Sequence, residues 1–112
     1  MIQPPRYDLY QPIYDFVRRV PYGRVVSYGQ VADWVTEVRF TPRQVGVAMS
    51  VCPLDVPWQR VVGSDGRLLI AKRNPAMAVQ QRQKLEAEGV GFTEDGRVDI
   101  ERYRWLIYEK EG

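Results

Sequence analysis

The stretch SYGQVADWVTEVRFTPRQVGVAM, residues 27–49, contains two helix starts of one design. Ser27 is followed three positions later by Gln30, and Thr41 by Gln44. In such a pair the hydroxyl accepts the backbone N–H of the third helical residue, and that residue's side chain reaches back to the cap's own N–H. Pro42 stands at the first helical position, where its missing N–H costs nothing. Val31, Trp34 and Val35 form the inward face predicted for the first helix. Val45, Ala48, Met49 and Cys52 fall at i, i+3, i+4 and i+7 in the second. Two short helices with a brief connection predict a helix-turn-helix.

The surrounding chain extends this frame. Tyr10, Ile13, Tyr14 and Val17 form the apolar stripe of an earlier helix, which Val20-Pro21-Tyr22-Gly23 stops. Arg24-Val25-Val26 reads as extended. After Pro57, Arg60-Val61-Val62 and Arg67-Leu68-Leu69-Ile70 flank Gly63-Ser64-Asp65-Gly66, a hairpin signal. Asn74-Pro75 opens a further helix and Gly89 ends it. Val90 and Phe92 face Val98 and Ile100 across a second turn, and the chain finishes on Tyr103, Trp105 and Tyr108. The expectation is one domain over residues 1–112, mostly α with small β hairpins: a winged helix-turn-helix.

Composition narrows the chemistry. The chain has 112 residues, 45% of them hydrophobic, which supports a folded core rather than disorder. Its net charge is only +2, so charge alone does not mark a nucleic-acid binder. Basic residues dominate before residue 75, whereas acids gather after Leu85. One cysteine and no histidine exclude an internal disulfide and the standard zinc ligand sets. No apolar run suits a membrane span or a secretory h-region, so a cytoplasmic or nuclear location is expected.

Opposite the core stripe of the second helix lie Arg43, Gly46, Val47 and Ser50. A reader of the major groove offers Arg, Asn or Gln along such a face. One arginine beside small residues suits close approach to the minor groove, with the arginine entering the base stack. An ordinary helix with a solvated arginine fits the same pattern. Trp58, between Pro57 and Gln59, likewise has two readings: a core residue like Trp34, or an aromatic wall for a base. Cys52 falls on an apolar stripe, where a thiol is raised in pKa and inert, and no histidine is present to activate a nucleophile.

Four segments in order carry a family resemblance: Val20-Pro21-Tyr22-Gly23, Ser27-Tyr28-Gly29-Gln30-Val31-Ala32, Arg43-Gln44-Val45-Gly46-Val47-Ala48-Met49 and Pro57-Trp58-Gln59-Arg60-Val61-Val62. Together they resemble the C-terminal domain of the O6-alkylguanine-DNA alkyltransferases, whose Pro-Cys-His-Arg-Val motif carries the alkyl-accepting cysteine. Trp58 stands at the cysteine position and Gln59 at the histidine. The chain is similar to the cysteine-less branch, the alkyltransferase-like proteins, from about Tyr7 to Trp105. The matches include Ala71-Lys72-Arg73, Gln81-Arg82-Gln83-Lys84-Leu85, Glu88-Gly89-Val90 and Tyr103-Arg104-Trp105.

The resemblance implies roles. Tyr28 crowds the phosphate 3′ of the target nucleotide, Arg43 fills the gap in the stack, and Gly46 and Ser50 lie on the DNA-facing side. Tyr28, Trp58, Val61 and Arg73 would form the lesion pocket, and Arg60 would hold a hinge at Cys52. Gln59 removes the proton relay, and Cys52 replaces a hinge asparagine. The implied function is non-enzymatic: a monomer binds O6-alkylguanine in double-stranded DNA through the minor groove, flips the nucleotide and marks it for nucleotide excision repair proteins. It needs no cofactor, metal or membrane. Two alternatives stay open, an active alkyltransferase using Cys52 and a sequence-reading winged-helix regulator.

Overall fold

The computed structural model describes residues 9–106. Tyr7 and Tyr108 lie outside that range. The element order is α1 (Gln11–Val17), β1 (Val26–Ser27), α2 (Tyr28–Trp34), α3 (Pro42–Ser50), a 3₁₀ turn (Trp58–Arg60), β2 (Val61–Val62), a second 3₁₀ turn (Leu69–Lys72), α4 (Pro75–Ala87) and α5 (Ile100–Tyr103).

Both capping boxes form. The Gln30 N–H donates to Ser27 Oγ at 3.0 Å, and the Ser27 N–H donates to Gln30 Oε1 at 3.0 Å. The Gln44 N–H reaches Thr41 Oγ1 at 3.2 Å, and the Thr41 N–H reaches Gln44 Oε1 at 2.9 Å. Ile13, Tyr14 and Val17 of α1 are buried as the stripe predicts, with Phe16 beside them. Tyr14 donates its hydroxyl hydrogen to the Ala48 carbonyl at 3.0 Å, tying α1 to α3. Asn74 caps α4, accepting from Ala76 and Met77, and Gly89 ends it at φ +86°.

Two expectations about the inward stripes are corrected. Val31 and Val35 are buried, but Trp34 is 42% exposed. It sits on the flank of the stripe and leans on Phe16, centroids 6.3 Å apart, because Phe16 and Trp105 already fill the interior. Cys52 lies beyond the end of α3, half-buried at the core's edge, so the helical spacing ran two residues past its helix.

The strands also differ from expectation. β1 and β2 pair in parallel, Val26 with Val61 and Ser27 with Val62, across a crossover containing α2 and α3. The Gly63–Gly66 turn forms, with the Gly63 N–H donating to the Arg67 carbonyl at 2.8 Å. No ladder follows it. Residues 69–72 form the second 3₁₀ turn instead, which delivers Ile70 to the core. The second hairpin survives as one antiparallel bridge, Phe92 with Val98. The small sheet divides the interior by its twofold alternation. Val26 and Val61 join the main core under α1–α3, while Val25 and Val62 join a smaller cluster with Leu85, Val90 and Val98.

A buried ion pair fastens the sheet to its surroundings. Arg60 Nε donates to Glu88 Oε1 at 3.0 Å, with side chains only 16% and 5% exposed. Glu88 also accepts the Gly23 N–H at 2.8 Å and the Gln59 amide at 2.8 Å. Arg60 Nη1 donates to the Val20 carbonyl at 2.9 Å, and its guanidinium stacks on Tyr22, 5.6 Å from the ring centroid. The Tyr22 hydroxyl donates to the Ala87 carbonyl. Burial pushes the Glu88 carboxyl up, but the hydrogen bonds from Arg60, Gly23 and Gln59 outweigh it and leave the group below its ordinary 4.5. A lowered folded-state pKa means stability that is present above 4.5 and lost as pH falls through the folded value. Glu88→Gln should therefore lower the unfolding free energy at neutral pH by about 3 kcal/mol. Urea melts at several pH values should show a smaller acid-side loss of stability in the variant than in the wild type.

Candidate nucleic-acid interface

Three elements converge on one cavity of about 540 Å³, lined by Tyr28, Arg43, Gly46, Ile70, Lys72 and Arg73 among others. The capping box at Ser27 starts α2 one residue before Tyr28, which fixes that side chain at the cavity wall. The Thr41 box places Arg43 in the first turn of α3, exposed to solvent. The second 3₁₀ turn brings Lys72 and its C-cap Arg73 across from them. The lining holds three cations and no carboxylate, and none of the three makes an ion pair among the described residues. Burial pushes the Tyr28 phenol up to about 12 against the opposing pull of Arg73, so it stays a neutral wall.

The exposed side of α3 is small, as the sequence indicates. A β-carbon added at Gly46 would meet no atom within 4 Å. Ser50 donates its hydroxyl hydrogen to the Val47 carbonyl at 2.7 Å, turning its polar group back onto the helix. The face is thus a smooth strip bounded by Arg43, suited to close contact with a sugar-phosphate edge.

The residues expected to form one lesion pocket are divided. Tyr28 and Arg73 share the large cavity, with Arg43 and Gly46. Trp58 is half-buried and lines a second cavity of about 310 Å³, with Ser50, Cys52, Leu54, Met77 and Lys84 among its neighbours. The two cavities open along α3, one at its start and one at its end. Val61 lines neither and is fully buried. Its pairing with Val26 points it into the main core, so it supports the site from beneath.

Cys52 shares the second cavity with Trp58. Burial pushes its thiol up to about 11, so it is protonated and weakly nucleophilic at neutral pH. Gln59 places its amide on Glu88, and Arg60 takes Glu88 and the Val20 carbonyl rather than a hinge at Cys52. Among the described residues, no cluster of His, Cys, Asp and Glu has the make-up of a metal site, and no helix is long and apolar enough to cross a membrane. Lys72 escaped the sequence reading, although the Ala71-Lys72-Arg73 run contained it. Glu88 had no local signal, because its partners lie 28 and 65 residues away.

Residues 8–90 match the family described as 6-O-methylguanine DNA methyltransferase, DNA binding domain. Alkyltransferase-like protein 1 of Schizosaccharomyces pombe is 35% identical over 88% of this chain and 94% of its own length. A DNA base-flipping protein of Escherichia coli is 37% identical over 85% of this chain and 72% of its own. The crystal structure of S. pombe Atl1 in complex with damaged DNA containing O6-carboxymethylguanine superposes with a TM-score of 0.72 at 36% identity, covering 91% of this chain and 98% of that one. The Mycobacterium tuberculosis O6-methylguanine methyltransferase gives 0.62 at 31% identity over 72% of this chain and 48% of its own. The match across the domain and the likeness to these relatives place the chain in the alkyltransferase-like family of DNA base-flipping proteins, built on the DNA-binding domain of the alkylguanine alkyltransferases.

Proposed function

We propose that this chain recognises O6-alkylguanine in double-stranded DNA, rotates the damaged nucleotide out and holds it without removing the alkyl group. The observation that carries this reading is the single cavity shared by Tyr28, Arg43 and Arg73 at the start of a helix with a small outer face. α3 lies in the minor groove with Gly46 against the backbone. Tyr28 crowds the neighbouring phosphate, and Arg43 enters the stack to occupy the vacated space. Extrusion costs a few kcal/mol, and less for a guanine whose pairing alkylation has weakened. Lys72 and Arg73 offset this by neutralising phosphate or base-edge charge. Burying the alkyl group against apolar side chains adds about 25 cal/mol per Å² of apolar surface.

Chemistry stops there. Trp58 holds the position at which the repairing relatives of the family place sulfur, and an indole is a poor nucleophile. The one thiol in the sequence is Cys52, held protonated by burial and lining a separate cavity. A lesion held but not repaired gains meaning only if another machinery excises it, which makes nucleotide excision repair proteins the proposed partners.

A fluorescent duplex carrying one O6-methylguanine, titrated beside its unmodified twin, tests the reading. The wild type should prefer the lesion, and equal affinity with strong dependence on flanking sequence would establish a sequence-reading regulator instead. Arg43→Ala should cost about tenfold or more in lesion affinity and much less on the unmodified duplex. Lys72→Ala should weaken both duplexes alike and reduce the slope of log K against log salt by about one. Intact-mass measurement after incubation with the lesion duplex should show an unchanged protein. A gain of one methyl group, lost in Cys52→Ser, would establish an alkyltransferase.

A further inference from the structure

Gln81 is a full-length polar side chain with no exposed surface. It lies on α4, on the stripe that Met77 and Leu85 also occupy, one turn to either side. Its amide nitrogen donates to the Gln59 carbonyl at 3.1 Å and to the Val61 carbonyl at 2.9 Å, so both amide hydrogens are used. Its oxygen has no partner among the described residues. As filler, a methionine or leucine would occupy this volume without burying an unpaired oxygen. The donor pair is therefore what the position requires, and the two carbonyls it holds bracket Arg60 in the segment carrying Trp58.

Apart from the pairing of β2 with β1, that segment has few other backbone restraints. The 3₁₀ turn Trp58–Arg60 has no side-chain cap, and Pro57 at its start contributes no N–H. Within it the Trp58 N–H reaches the Val56 carbonyl and the Arg60 N–H reaches the Pro57 carbonyl, both local bonds. On one side, Glu88 grips the Gln59 and Arg60 side chains. On the other, Gln81 grips the backbone. The turn is thus held at two points along α4, at its middle by Gln81 and at its C-cap by Glu88.

We propose that Gln81 is a positioning residue for lesion recognition: its buried amide holds the carbonyls of Gln59 and Val61 and so fixes the Trp58 turn against α4 in the arrangement that an extruded alkylated base requires. The proposal rests on the lesion-binding reading above. Gln81 itself touches neither cavity, so its effect passes through the turn.

Nuclear magnetic resonance of the free wild-type protein gives the first test. The Gln81 side-chain amide protons and the backbone amides of residues 58–62 should exchange slowly with solvent. A Gln81 amide exchanging like an exposed glutamine would overturn the proposal, whatever the protein does with DNA. Next, the wild type is titrated with the O6-methylguanine duplex and with its unmodified twin. The Gln81 amide resonances should move with the lesion duplex and stay in place with the twin; no movement with either, in a protein that prefers the lesion, overturns the proposal. A wild type with no preference sinks the lesion-binding reading itself, and the exchange data keep the two failures apart. Finally, Gln81→Met keeps the volume and removes both donors. It should lower the preference for the lesion about tenfold, speed exchange at residues 58–62, and leave affinity for the unmodified duplex within about twofold. A folded variant with undiminished preference would overturn the proposal, and if the variant does not fold the wild-type titration decides.

Discussion

The Arg60–Glu88 pair is the fastening on which the site's geometry depends. Two charges taken out of water are tolerable only if every remaining donor and acceptor is met. Here the carboxylate takes the Gly23 N–H, the Gln59 amide and the guanidinium, while Arg60 continues to the Val20 carbonyl. The turn after α1, the turn before β2 and the end of α4 thereby share one polar knot. Gly23 fits this knot because its φ of +81° disfavours any residue with a side chain. The knot also decides the fate of Gln59: an amide committed to Glu88 can orient the turn but cannot carry a proton away from a neighbour.

The cationic surface and the thiol are separated in space. Cations, a tyrosine and apolar side chains surround the larger cavity, whereas the thiol and Trp58 share the smaller one at the other end of α3. On the proposed reading, a base entering beside Tyr28 and Arg43 meets cations and apolar side chains, with the thiol set apart from them. The proposed role draws on this layout as well as on the family resemblance that sets Trp58 at the cysteine position.

The local parts of the fold were legible in the sequence. The caps at Ser27, Thr41 and Asn74 are short-range hydrogen-bond patterns, and each formed where its residues stood. Tyr28, Arg43, Gly46 and Arg73 were legible as a group because the family motifs fix their order, and the fold brings them round one cavity. What failed depended on distant partners. The Arg67–Ile70 run reads as a hairpin arm, but it winds into a 3₁₀ turn that packs Ile70 against the distant residues of the main core. Trp34 looks inward until Phe16 and Trp105 fill the space. The family resemblance groups Trp58 and Val61 with Tyr28, while strand pairing sends Val61 inward and Trp58 lines the cavity between the end of α3 and α4.

Gly46 gives the structure a blind spot. Its missing side chain leaves open space on the outer face of α3, so nothing inside the protein requires a glycine there. In a helix interior glycine is less favourable than alanine by about 1 kcal/mol. Selection for thermal robustness alone would drift this position towards alanine, and a stability screen would count the drift as an improvement. The single methyl group so gained would stand between the helix backbone and whatever must lie against it, so the vulnerability of this protein under laboratory evolution is at a position its own folding does not police.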